Sequence, residues 1–134
     1  MRYFLDTNIC VYLLNDRFHN IRENMDDFDI SRIKIPSIVA VELVYGAYKS
    51  QKVEYNLSRY EKFLSAYEII PFDRAAGNIY GEIRVSLERK GQVIGSNDML
   101  IAATVLANGG ILVTNNIKEF SRINNLPLED WTKI

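Results

Sequence analysis

The stretch that decides the fold is Tyr3-Phe4-Leu5-Asp6-Thr7-Asn8. Three apolar residues in a row have the pattern of a short buried strand. The run stops at Asp6, and Ile9 to Leu14 reads as the opening turns of a helix. A carboxylate therefore stands where a strand ends and a helix begins. In open α/β sheets that carboxyl end of the strands is where ligands bind. Asp, Thr and Asn are also good helix N-caps, so capping competes as a reading of the same residues. Function enters only if other carboxylates reach the same place.

Working outward, the same unit recurs. Ile33-Lys34-Ile35 is a strand stopped by Pro36, and Ser37 can cap a helix running to about Lys49. Leu57, Tyr60, Phe63, Leu64 and Tyr67 share one helical face within residues 56–67. Ile69-Ile70 is a strand closed by Pro71, and Asp73 caps a long amphipathic helix that ends before Gly91. Ser96 opens a helix whose stretch from Met99 to Ala107 is apolar almost all round, the mark of a buried helix. Gly109-Gly110 end it, and Ile111-Leu112-Val113 is the next strand. Thr114-Asn115-Asn116 follows that strand as Thr7-Asn8 follows the first. A short helix over residues 117–123 and an extended piece over 126–128 complete the chain. Short apolar strands alternating with helices predict an α/β fold: a parallel sheet of four or five strands with helices on both faces. Strands buried on both faces are continuous rather than alternating, as these are.

A chain of 134 residues suits a single domain, here spanning residues 1–134. Apolar residues at 48% and charged residues at 25% are ordinary for a globular protein. A net charge of -1 excludes a uniformly basic nucleic-acid binder, so any nucleic-acid site must be a local patch. Cys10 is the sole cysteine, which excludes an intrachain disulfide and a cysteine-rich zinc site. The N-terminal apolar run is too short for a signal peptide, and no stretch reaches the ~20 apolar residues of a membrane span. These features predict a soluble cytoplasmic protein.

Three carboxylates stand out. Asp6 closes the first strand. Glu42 sits on a helix where its neighbours three and four positions away are Ile38, Val39, Tyr45 and Gly46, none of them charged. A carboxylate on such a face is costly unless paired, so Glu42 is either a snorkelling edge residue or a ligand or base. Asp98 lies in the first turn of the buried helix, a favourable place for a negative charge in any helix. All three fall near strand ends, on the N-terminal side of helices, which the topology brings to one edge. Converging there they would repel unless a divalent cation joined them, and hard oxygen ligands suit Mg²⁺ or Mn²⁺. Metal-assisted phosphoryl chemistry is the natural use of such a site.

Other signals are weaker. His19, the sole histidine, lies in a polar segment and reads as surface, which removes ordinary Ser-His-Asp and Cys-His catalysis. There is no Walker loop or Gly-rich dinucleotide fingerprint. Gly77 and Gly81 suit close packing, and the tyrosines read as core or dimer contacts. Arg84 and Lys118, with Arg89, Lys90 and Arg122, are either phosphate contacts or solvated face.

Phe4-Leu5-Asp6-Thr7-Asn8, Val41-Glu42-Leu43 with Tyr45-Gly46, Ile94-Gly95 with Asp98 and Leu100-Ile101-Ala102-Ala103, and Leu112-Val113-Thr114-Asn115-Asn116 running on to Phe120 together resemble the PIN-domain ribonucleases, and among them the VapC toxins of bacterial toxin–antitoxin pairs. The resemblance spans nearly the whole chain in order and spacing. It implies a homodimer, Mg²⁺-dependent RNA cleavage by an acidic cluster, and a small VapB-like antitoxin that blocks the site. Family members attack structured RNA, notably tRNA anticodon stem-loops, and the match to members acting on initiator tRNA looks closest. One departure is Asn116, where many members carry an aspartate.

The expected function is therefore a Mg²⁺-dependent endoribonuclease toxin. Asp6 and Asp98 hold the metal (Mn²⁺ can substitute). Glu42 completes the shell or positions the attacking water, and Asn116 stands beside them. Thr7, Asn8 and Thr114 orient the ligands. The alternatives are a catalytically dead antitoxin-binding module and a phosphatase using Asp6 as nucleophile; the latter is disfavoured because Asn8 stands where its second aspartate would be. Glu119, one helical turn after Asn116, reads as an exposed helix residue with an open question over a part in the site.

Overall fold

The computed structural model describes residues 1–133. Five strands form one sheet: β1 (Tyr3–Leu5), β2 (Ile33–Pro36), β3 (Glu68–Ile70), β4 (Ile111–Val113) and β5 (Leu128–Glu129). Their order is β3-β2-β1-β4-β5, and every neighbouring pair is parallel. The register sets Leu5 beside Val113 and Phe4 beside Lys34. From β1 the chain builds outward through β2 and β3, then returns to the other side of β1 for β4 and β5. The direction of winding thus reverses between β1 and β4. In open parallel sheets that reversal leaves a crevice at the carboxyl ends of the strands.

Seven helices connect the strands: α1 (Thr7–Leu14), α2 (His19–Asp26), α3 (Ser37–Lys49), α4 (Val53–Leu64), α5 (Arg74–Arg89), α6 (Ser96–Asn108) and α7 (Ile117–Phe120). The central strands are sealed on both faces: Phe4, Leu5, Ile35, Leu112 and Val113 have no exposed surface. Helix α6 buries Met99 and the run Ile101 to Val105, as its all-round apolar sequence requires. Gly109 ends it in the left-handed region at φ 65. At Gly110 a Cβ would fall 2.4 Å from the Phe4 ring and 2.9 Å from the Arg2 carbonyl, so only glycine lets the chain turn directly into β4.

The elements follow the sequence reading with local differences. Ser37 does not cap α3; its hydroxyl accepts the Phe72 N–H at 3.1 Å, tying α3 to the chain just past β3. Helix α4 starts at Val53 and stops at Leu64, because residues after it turn back towards β3. The last strand lies at Leu128–Glu129, where Leu112 N–H and Thr114 N–H reach the Pro127 and Glu129 carbonyls at 2.9 Å. Beyond it Trp131, 2% exposed, packs against Tyr3 and Phe28 and closes that edge of the core.

Candidate active site

Asp6 ends β1 and caps α1: its Oδ1 accepts the Ile9 N–H at 2.9 Å, and its own N–H donates to the Val113 carbonyl at 3.1 Å. Capping and a functional role are therefore compatible, because capping engages Oδ1 alone. Oδ2 accepts the Thr114 hydroxyl. That hydroxyl in turn accepts the Asn116 N–H at 2.9 Å, so a directed chain runs from Asn116 through Thr114 to Asp6. Asp6 is only 5% exposed, yet no Lys or Arg pairs with it among the described residues. Burial raises its pKa to about 6, against the pull of the Thr114 and Ile9 hydrogen bonds, with the charges of Asp98 and Glu42 adding to the rise.

Glu42 projects from α3, half-buried. Its Oε1 accepts the Thr7 hydroxyl at 2.5 Å, and its Oε2 accepts the Asn97 amide at 3.4 Å. Asp98, in the first turn of α6, is pushed to about 6 by burial and by the charges of Glu42 and Glu119. Asp98 and Glu42 thus act on Asp6, and Glu42 and Glu119 act on Asp98, at the crevice beside β1 and β4. The segments that bring them there are four: the end of β1, α3, the start of α6, and α7.

As positioned, no three His, Cys, Asp or Glu side chains among the described residues close on one point tightly enough to hold an ion. The donor set nonetheless fits a divalent cation. Its carboxylates are partly or wholly withdrawn from water, the pKa values of Asp6 and Asp98 are raised by burial and by neighbouring charge, and the group faces only hydroxyl and amide donors. A buried carboxylate without a cationic partner is costly, and a hard cation is what such oxygens bind best.

The remaining expected residues divide. Thr7 and Thr114 each hold a carboxylate oxygen. Asn8 lies exposed on α1. Asn116 is half-buried at the start of α7, and its side chain makes no cap bond to that helix. Lys118 is exposed on α7. Arg84 is engaged on the outer face of α5, donating to Glu88 at 3.3 Å and to the Tyr80 hydroxyl at 2.7 Å. One contributor was not singled out by the sequence reading, and one was read as exposed with its part in the site left open. Asn97 is one residue from Asp98 and turns out to reach Glu42. Glu119, read as exposed, is half-buried and acts on Asp98; its place one helical turn after Asn116 was the available signal.

Comparison with known proteins identifies the family. The sequence matches the PIN domain family over residues 3–126. It is 51% identical over 136 residues to Ribonuclease VapC2 of Rickettsia felis, covering 99% of this chain and 100% of that one. It is 38% identical over 132 residues to the tRNA(fMet)-specific endonuclease VapC of Shigella flexneri, covering 98% and 99%. The crystal structure of VapBC2 from Rickettsia felis bound to a DNA fragment from its promoter superposes with a TM-score of 0.89 at 48% identity, covering 98% of this chain and 99% of that chain. The chain belongs to the PIN-domain family, and within it to the VapC ribonucleases.

Proposed function

We propose that this protein is a Mg²⁺-dependent endoribonuclease that acts as the toxin of a toxin–antitoxin pair and cuts a tRNA, initiator tRNA foremost. The observation that carries the reading is Asp6: a buried carboxylate with no Lys or Arg partner among the described residues, at the crevice beside β1, in the field of Asp98 and Glu42. The tRNA assignment draws on the relative from Shigella flexneri, whose name specifies tRNA(fMet).

Asp6 and Asp98 would hold the metal, with Glu42 completing the set and Asn116 offering an uncharged oxygen. Bound there, Mg²⁺ or Mn²⁺ supplies a water of lowered pKa and neutralises charge building on the scissile phosphate. The chain's own groups do the rest. The α1 cap and the Thr114 hydroxyl fix the Asp6 carboxylate in one orientation. The Thr7 hydroxyl and the Asn97 amide hold Glu42 towards the crevice, where it can take a proton from an attacking water. Asn8 and Lys118 lie on surfaces where RNA can be met, and Arg84 can do so only by loosening from Glu88.

A VapB-like antitoxin is the expected protein partner, as in the complex from Rickettsia felis. Val41, Tyr45 and Tyr48, each 64% exposed on α3, offer apolar surface for such a partner or for a second copy in a homodimer. Among the described residues no helix is long and apolar enough to cross a membrane, and a tRNA substrate would put the action in the cytoplasm.

The test is direct. Purified protein should cut initiator tRNA with Mg²⁺ or Mn²⁺ and stop in EDTA. Asp98→Asn should stay folded and lose most of the rate. Undiminished cutting by that variant would reject the acidic site, and arrest of growth by an Asp6→Ala protein as strong as the parent's would make the protein a binding module instead.

A further inference from the structure

Helix α1 leads away from the acidic crevice, and its surface continues into an aromatic cluster. Asn8 and Tyr12 are four residues apart and share one face. Side chains on a helix lean towards its N-terminus, so Tyr12 points back to the site. Its hydroxyl accepts the Asn115 amide at 3.2 Å. Asn115 is the residue between Thr114, which holds Asp6, and Asn116. Tyr12 is thus connected to the crevice through one side chain.

The Tyr12 ring contacts two residues of the following loop. The Arg17 guanidinium lies 5.9 Å from its centroid, and the Phe18 ring meets it edge-on at 4.9 Å. This loop is bent sharply: Asp16 and Phe18 both adopt positive φ, at 55 and 56. For a bulky residue that backbone is unfavourable and calls for a reason. Its effect here is to hold Phe18 against Tyr12 while leaving it 45% exposed. Arg17, tied to α1 by its N–H on the Tyr12 carbonyl at 2.8 Å, forms no ion pair among the described residues.

We propose that the exposed Phe18 ring, braced by Tyr12 and flanked by Arg17, is the platform on which one unpaired base of the RNA substrate stacks. The proposal rests on the ribonuclease reading and adds the contact that positions the strand. A single rigid ring beside an unpaired cation suits one nucleotide, giving its base a π-face and its phosphate a charge. A protein helix would need a longer apolar strip.

Phe18→Gly tests this cleanly, because glycine removes the ring and also accepts the positive φ without strain. With an initiator tRNA transcript in Mg²⁺, KM should rise roughly five- to hundredfold, the range of base–aromatic stacking, while kcat changes little. Phe18→Trp should restore KM, and the thermal midpoint of Phe18→Gly should not fall. Independently of tRNA, a single-stranded RNA carrying 2-aminopurine should be quenched on binding to Asp98→Asn protein and not to the Asp98→Asn, Phe18→Gly double variant. Unchanged KM and unchanged quenching overturn the proposal. So does loss of antitoxin capture by Phe18→Gly with RNA kinetics intact, which would make the ring a protein contact. If no form cuts the transcript, the initiator tRNA reading fails while the quenching still decides the role of Phe18.

Discussion

Thr7 and Glu42 are 35 residues apart in sequence and share one hydrogen bond, Thr7 Oγ1 donating to Glu42 Oε1 at 2.5 Å. The bond joins the first residue of α1 to the middle of α3. It explains how a carboxylate on an otherwise apolar face is kept: one oxygen is bound to a hydroxyl that follows Asp6 directly. Removing the hydroxyl should free Glu42 to swing to water. Thr7→Val is expected to cut activity about 10- to 100-fold, the usual effect of losing a group that orients a ligand, and Thr7→Ser to keep it. Cleavage rates across a Mg²⁺ titration check both.

Thr114 holds the opposite side of Asp6. Its hydroxyl bond is the main influence lowering the Asp6 pKa against burial. Thr114→Val should therefore raise that pKa above about 6 and leave the Asn116 N–H without its acceptor. A stability loss of about 1–3 kcal/mol follows from the orphaned groups. Carboxyl ¹³C titration of Asp6 and denaturant unfolding measure the two effects.

The Asp6 carboxyl is near 3.8 when unfolded and about 6 when folded, so the folded chain binds the proton more tightly. Its contribution to stability is then present at pH below about 3.8 and is lost as pH rises through about 6. In EDTA the thermal midpoint should fall over that window. Asp6→Asn keeps a cap for Ile9 and should flatten the fall, giving a midpoint above the parent's at neutral pH. Saturating Mg²⁺ should raise the parent's midpoint and leave the variant's nearly unmoved. Calorimetric scans across pH decide it.

Glu119 raises the Asp98 pKa from α7. Glu119→Gln should lower the Asp98 pKa towards 3.8 and weaken Mg²⁺ binding without unfolding the chain. Asn116→Asp adds charge at the same edge and should tighten metal binding. Isothermal titration of Mg²⁺ into the RNA-free proteins compares them, and an unaltered affinity in Glu119→Gln would confine that residue to the surrounding field.

Gly110→Ala is expected to be the costliest of the small changes. Its Cβ would fall 2.4 Å from the Phe4 ring at the centre of the sheet, where nothing can yield freely. A loss of roughly 1–3 kcal/mol or more follows from overpacking, read as a lower denaturant midpoint at constant slope.

The sequence alone determined the elements. Burial on both faces makes strands such as Phe4-Leu5 and Leu112-Val113 continuous, and prolines and glycines punctuate them, so both type and approximate bounds are written locally. Asp6, Glu42 and Asp98 came forward as candidates from local pattern alone: Asp6 closes a strand, Glu42 is a charge on an apolar helical face, and Asp98 opens a buried helix. The tertiary structure alone decided strand order, and with it the crevice between β1 and β4. It also decided the pairings Thr7 with Glu42, Thr114 with Asp6, and Asn97 with Glu42. It placed Glu119 in the field of Asp98 and seated Trp131 against Tyr3. These relations join residues up to 128 positions apart, Tyr3 to Trp131 being the widest. Periodicity reports which face of one element is buried; it carries no term for which distant side chain the crossovers will bring against it.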